Sequence, residues 1–327
     1  MKFLNWMMIP LAMLLFFSCA APKIGILSPE EVPLKEFALQ GSYKEKVLVI
    51  SVRGLLSNEP KFGWLRKKPS MVQEVVSQLR KAETDKQIGA IVLKVDTPGG
   101  SVTASDQLYH EIVSFKARTG IKVVAAMEDV AASGGYYLSL PADHITAHPT
   151  SVIGSVGVIF FQPRFYGLME KIGVAVDVNK SGANKDMGSP FRAATKEEER
   201  IIQNLTDQLA KRFIDRVVKY RSIDAAAMAQ IATGRIYLAE DALKLRMIDS
   251  IGYLDEAVNK AIDLAGLPQN AKVVVYRRFE NPNDNFYNTA TSTESTDKLS
   301  MINIDLLDNM AVMKTGFYYL WPSAVSN

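Results

Sequence analysis

Two β-branched apolar runs, "KVLVISVRGLL" from Lys46 and "IGAIVLKVD" from Ile88, constrain this chain more than any other feature. Each has the length of a strand and is almost continuously apolar, and the segment between them, "SMVQEVVSQLRKAE", sets Met71, Val75 and Leu79 at helical intervals. A strand apolar on both faces must be covered on both faces, so the pattern predicts βαβ units around a largely parallel sheet. The alternation continues. "SVTASDQLYHEIVSFKA" reads as a helix, "IKVVAAM" as a strand, "SGGYYLSL" as a helix, and "DHITAH" and "VAVDV" as strands. The class is α/β.

Further on, residues 195–221 predict a long helix whose stripe of Ile201, Leu205, Leu209, Phe213 and Val217 packs on the core, with an oligomer interface as the alternative. "GRIYLAEDALKLRMIDSIGYLDEAVNKAIDLAGL" predicts two or three short helices, and "KVVVY" a last strand. Residues 281–300 are polar and read as a linker; "MKTGFYYLWPSAVSN" follows, an aromatic cluster that needs a surface to cover. That surface is its own body, a neighbouring protomer or a membrane face. The expected organisation is an export signal over 1–18, a linker over 19–42, a catalytic domain over 43–279 and a polar extension with an aromatic tail over 280–327.

The first residues, "MKFLNWMMIPLAMLLFFSCAAP", hold one lysine, an apolar stretch from Trp6 to Phe17 and a small-residue site. The stretch is short for a membrane span and reads as an export signal. Cys19 is the single cysteine and has no internal partner for a disulfide. "LLFFSC" resembles a bacterial lipoprotein lipobox, with Phe16 where leucine is usual, so lipidation of Cys19 is expected, with an uncleaved anchor or plain secretion as alternatives. Each places the body on the extracytoplasmic, periplasmic side of a bacterial envelope. A net charge of +3 without any Lys/Arg block gives no reason to expect nucleic acid as a partner.

The chemistry concentrates at two glycine-rich strand ends. "DTPGGSV" closes a strand before a helix, where backbone N–H groups can hold an oxyanion. Ser133, in "VAASGGYYLSL", occupies the same kind of junction one βα unit later, with the N–H of Gly134 able to face the same point as that of Gly100. A serine there is either a helix cap or a nucleophile, and two such junctions on successive strand ends favour the nucleophile.

A nucleophilic serine needs a base. The three histidines are His110, His144 and His148; none follows the serine at the distance of an α/β-hydrolase triad, and the first glycine of that elbow is missing. A Clp-type triad would use His148 with Asp177 or Asp186. A lysine is the other choice, but only when neutral: its ordinary pKa near 10.4 must fall by about 3 units, worth roughly 4 kcal/mol, which demands a dry pocket. "KSGANKDMGSPFR" from Lys180 offers Lys185 as the candidate.

"VDTPGGSV", "AASGGYY", "SVIGSVGVIF", "KSGANKDMGSPFR" and "GRIYLAEDALKLRMIDSIG", in this order over about residues 46–267, resemble the signal peptide peptidase (SppA) family of serine proteases in its short, single-copy form. The resemblance implies a crotonase-like α/β fold related to the Clp proteases, a Ser133–Lys185 dyad, Ser155 orienting the lysine, and an oxyanion hole from the N–H groups of Gly100 and Gly134. It implies no cofactor or metal. It also implies a homo-oligomeric ring or dome in which serine and lysine come from neighbouring protomers, and peptide substrates left near the membrane after signal cleavage. One departure is Arg246, in "KLRMID", where family members commonly have glycine. The rival readings are an acyl-CoA enzyme of the crotonase fold, which export disfavours, and a non-catalytic envelope scaffold.

Overall fold

The computed structural model describes residues 32–62, 67–281, 284–287 and 315–324. The export signal with Cys19 and most of the polar stretch before the tail lie outside the described residues.

Strands β1 (Lys35–Gln40) and β2 (Lys46–Arg53) open the chain, followed by a two-strand ribbon of β3 (Lys61–Phe62) and β4 (Lys67–Lys68). Helix α1 (Met71–Thr84) leads to β5 (Ile88–Thr97) and the short β6 (Gly99–Ser101), then α2 (Val102–Thr119), β7 (Lys122–Ala132) and α3 (Gly134–Ser139). Next come β8 (His144–Ala147), β9 (Val152–Gly154), β10 (Ile159–Phe161), α4 (Tyr166–Ile172) and the long α5 (Lys196–Tyr220). The remainder is α6 (Ala225–Ile231), β11 (Ile236–Leu238), α7 (Ala239–Lys244), β12 (Ser250–Ile251), α8 (Leu254–Ala265), β13 (Lys272–Arg277) and, in the tail, β14 (Gly316–Leu320).

The main sheet runs β1-β13-β2-β5-β7-β8-β12. From β13 to β12 every pairing along it is parallel, as the doubly apolar runs predict; β1 adds antiparallel to β13, inside the stretch read as a linker. Side chains of β2 alternate between two cores. Leu48, Ile50 and Val52 join the cluster under α1, α2 and α3, while Val47 and Val49 meet Leu254, Val258 and Ile262 of α8 on the opposite face. Both faces of the sheet are therefore covered, which is the condition for a parallel sheet. The fold is α/β with stacked βαβ units, as expected.

Two features of this frame set the site. First, β7 changes neighbour along its length: residues 124–127 pair with β8, and residues 130–132 pair with β9. Its end is thus carried away from the main sheet at a switch point, the place where open α/β sheets form their clefts. Second, a small antiparallel sheet of order β10-β14-β6 stands beside that end.

Besides β1, the sequence reading differs from the structure in two further elements. "VAVDV" is not a strand: residues 173–180 are irregular, and Val174, Val176 and Val178 are 50%, 48% and 51% exposed. Alternating valines need a partner edge to become a strand, and the described residues of one copy supply none. The long helix is where the spacing puts it, capped by Thr195 in a capping box with Glu198, but only Phe213 and Val217 of its stripe are buried while Leu205 is exposed. Its N-terminal half exposes Leu205, while Glu198 in its first turn is buried against Arg192.

Arg246 takes a left-handed backbone, with φ of 57°. That conformation costs a residue with a Cβ about 1 kcal/mol relative to glycine. Its N–H donates to the carbonyl of Leu243 and its own carbonyl accepts from Arg221, contacts that survive loss of the side chain. Arg246→Gly is expected to stabilise the chain by about 1 kcal/mol, read as a rise in Tm of about 2 °C.

Candidate active site

Ser133 sits between the last residue of β7 and the first turn of α3 with φ of 52° and ψ of −111°, outside the regions comfortable for a residue bearing a Cβ. Backbone bonds impose this turn. The Ser133 N–H donates to the Gly154 carbonyl across to β9 (2.7 Å), and the Ser133 carbonyl accepts the first helical bond from Tyr137 (2.9 Å). The side chain does not cap the helix. Its Oγ is fully buried and has no hydrogen-bond partner among the described residues. Buried hydroxyls almost always find a partner, so an unpaired one on a strained backbone makes Ser133 a candidate nucleophile, and its side chain is not a cap.

Holding that hydroxyl has a cost. Ser133→Gly removes both the strained Cβ and the unpaired oxygen, each worth about 1–3 kcal/mol, against a smaller entropic loss from the new glycine. It is expected to unfold about 1–2 kcal/mol later in chemical denaturation than the parent while losing serine-dependent activity.

Ser155 follows Gly154, and Gly154 pairs with Ala132, so the two serines lie side by side at the ends of β7 and β9. Ser155 is also left-handed, with φ of 51°, and its N–H donates to the Arg235 carbonyl (2.8 Å).

The glycine junction lies against the same point. Thr97 Oγ1 donates to the Gly54 carbonyl (2.6 Å) and accepts from the Gly99 N–H (3.0 Å), which ties up that donor. Gly99 has φ of 100°, and a Cβ there would stand 2.8 Å from the Gly134 nitrogen. Gly100 is held in a parallel bridge to Leu56, so tightly that a Cβ would come within 2.0 Å of the Leu56 carbonyl oxygen. The Gly99–Gly100 turn thus packs against Gly134, the residue after Ser133.

The histidines are engaged elsewhere. His148 Nδ1 bonds Thr150 Oγ1 (2.8 Å) with its ring edge-on to Tyr253, His144 Nε2 bonds Ser250 Oγ (2.9 Å), and burial pushes the His144 pKa down. His110 is exposed on α2. Asp186 is taken by Arg192 and Lys180, so the Clp-type arrangement with His148 is not assembled.

Lys185 is on the exposed arm between α4 and α5, and a single copy does not bring it to Ser133. The loop around it is nonetheless fixed. Arg192 bridges its neighbour Asp186 to Glu198, the third residue of α5. The Arg192 guanidinium, then the Thr195 N–H, hold the Glu198 carboxyl down at about 2. Among the described residues, α4 and the arm leave Phe165, Leu168, Ile172 and Phe191 exposed.

Beside the serine lies a cluster that spacing alone did not single out. Tyr137, four residues into the same turn, donates to Asp106 (2.6 Å), which also accepts from Arg212 (2.9 Å). Burial, then the bond to Asp106, pushes the Tyr137 phenol up to about 12. For Asp106 burial acts upward, but the bonds from Tyr137 and Arg212 outweigh it and hold the carboxyl low. The available signal was "YY" directly after "SGG".

Comparison with known proteins gives the chain a family. Residues 116–268 match the peptidase family S49 and residues 66–153 match Clp protease. A protein of Enterococcus faecium named for signal peptide peptidase SppA is 34% identical over 67% of this chain and 64% of its own length. A protein of Synechocystis sp. named as a protease is 32% identical over 69% of this chain and 76% of its own. Protease 4 of Salmonella typhi is 37% identical over 59% of this chain and 31% of its own. The chain therefore spans just under two thirds of the Enterococcus relative and about a third of the Salmonella one.

Proposed function

From its membership of peptidase family S49, to which this chain belongs as a protein of the signal peptide peptidase SppA type, we propose a serine endopeptidase working through Ser133 and Lys185. One observation carries the reading: a fully buried, unpaired Ser133 hydroxyl on a strained backbone beside the Gly99–Gly100 turn. Ser133 Oγ attacks the carbonyl carbon of an extended peptide as its proton passes to the Lys185 amine. The N–H groups of Gly100 and Gly134 hold the negative oxygen. Collapse expels the amine fragment, which takes up the proton. Water, deprotonated by the same lysine, then releases the acyl group from Ser133. Ser155, next to Ser133, orients the lysine.

A lysine is a base only where water is excluded, and in one copy Lys185 is exposed. The uncovered apolar arm supports a homo-oligomeric ring or dome in which a neighbour's arm delivers Lys185 to each serine. A lipid on Cys19, or an uncleaved signal, would tether the assembly to the outer side of the cytoplasmic membrane or within the envelope, beside the peptides left by signal cleavage. Among the described residues no helix is long and apolar enough to cross a membrane.

A serine-directed phosphonate tests the reading directly. Its mass is expected on Ser133 and absent from Lys185→Ala at unchanged fold and assembly. Labelling that survives Lys185→Ala but disappears in His148→Ala would transfer the base to the histidine, and an unlabelled, normally assembled protein would make the chain a scaffold.

A further inference from the structure

Lys180, Asp186, Arg192 and Glu198 follow one another at six-residue intervals with alternating charge, and in the fold they join as one chain of ion pairs around the turn that carries Lys185. Arg192 is its hub. Its Nε and Nη2 donate to the two oxygens of Asp186 (2.8 and 2.7 Å), its Nη1 donates to Glu198 Oε2 (2.9 Å), and Nη2 also reaches Glu198 Oε1. A planar guanidinium that forks to two carboxylates fixes both in direction as well as distance. Glu198 is itself anchored, since it accepts from the Thr195 N–H (2.8 Å) at the start of α5. Lys180 closes the other end by donating to Asp186 Oδ1 (2.7 Å).

Between these posts the backbone is tightly wound. The N–H groups of Lys185, Met187 and Ser189 donate to the carbonyls of Gly182, Asn184 and Asp186 at 3.1, 3.1 and 3.0 Å, and the Pro190 carbonyl accepts from the Phe165 N–H (2.8 Å). The Lys185 amine, by contrast, makes no hydrogen bond or ion pair among the described residues. Its next neighbour in the chain is an acid, and the flexible stem of a lysine lets its amine close on an adjacent carboxylate. Such a pair would hold the amine protonated and end its use as a base. The Arg192 guanidinium, then the Lys180 amine, hold the Asp186 carboxyl well below the usual carboxylate range, so this acid is charged at any working pH. It can only be kept occupied. Arg192 takes both of its oxygens whereas Lys180 takes Oδ1 alone, so Oδ2 is left open once Arg192 is gone.

We propose that Arg192 is a positioning residue for Lys185: it pins the turn to the start of α5 and keeps the Asp186 carboxylate from closing on the Lys185 amine. This rests on the reading of Lys185 as the base. Arg192 itself touches no reacting atom.

The test uses full-length, assembled chains. It reads kcat and KM for a fluorogenic peptide, the rate at which Ser133 takes the phosphonate, and hydrogen exchange at the Met187 and Ser189 amides. Arg192→Gln is expected to lower kcat and the phosphonate rate by about 10²-fold with KM little changed, the scale of a misplaced catalytic group. Exchange at both amides should quicken by about 10-fold as the turn loosens. Asp186→Asn, which removes the competing charge, is expected to keep most of the parental kcat. Arg192→Gln combined with Asp186→Asn should turn over about 10-fold faster than Arg192→Gln alone, a coupling that independent structural losses do not produce. Arg192→Lys keeps a cation on Asp186 without the fork and should fall between the parent and Arg192→Gln. A purely structural ion pair gives the reverse order, with Asp186→Asn as damaging as Arg192→Gln and the double variant no better than either; that result overturns the proposal. Loss of assembly in both Arg192→Gln and the double variant also overturns it, as does parental turnover in Arg192→Gln where Lys185→Ala has lost activity. If Lys185→Ala takes the phosphonate at the parental rate while exchange in Arg192→Gln rises, the clamp on the turn stands and the base reading of Lys185 is what fails.

Discussion

Equal amounts of Ser133→Ala and Lys185→Ala chains, assembled together, are expected to recover roughly one quarter of parental peptidase activity, the random chance that an intact serine faces an intact lysine across a heterologous interface. Each variant alone should fall by at least about 10³-fold, because removing either member of a nucleophile–base pair disables the whole unit. The physical basis is the separation within one chain. Ser133 is buried at the end of β7, whereas Lys185 stands on an exposed arm whose valines have no partner edge. Turnover of a fluorogenic peptide by the mixture, against each variant alone, makes the measurement. A mixture no more active than its parts would place serine and base in one chain and remove the shared site.

Gly100→Ala is the second large effect. The added carbon would lie 2.0 Å from the Leu56 carbonyl oxygen and 2.6 Å from its carbonyl carbon and nitrogen. All three are backbone atoms, so no rotamer change relieves the contact, and the Gly100 amide must move. If the Gly100 amide is the proposed oxyanion donor, displacing it is expected to lower kcat by about 10²–10³-fold. The overpacking itself should cost about 1–3 kcal/mol of stability. KM should change less than kcat, since the donor acts on charge that develops only in the transition state. A proportionate rise in KM with kcat unchanged would show that Gly100 serves binding alone. The same assay on Gly182→Ala, in the exposed loop before Lys185 with open space around its α-carbon, provides a control for alanine itself.

What the sequence made legible follows from how local each signal is. The runs at Lys46 and Ile88 are strands because continuous β-branched residues suit a doubly covered sheet, and the two glycine-rich junctions set the Gly99–Gly100 turn against Gly134 because each lies at the end of such a strand. Signals that depend on a distant partner were opaque. Val174, Val176 and Val178 alternate as a strand should, yet no local pattern states which edge, if any, receives them. Tyr319 lies 186 residues beyond Ser133, and nothing in "GFYYLW" names β6 and β10 as its neighbours. Lys185 is a third case: a loop lysine looks the same from sequence whether water or another copy surrounds it.

The bare apolar arm also has a consequence for dosage. If each reactive centre needs two copies, output at low copy number rises more steeply than the amount of protein, with about four times the turnover for a doubling while copies remain mostly apart. Newly made chains would then be harmless until they accumulate, and scarcity would protect bystander polypeptides without any dedicated inhibitor.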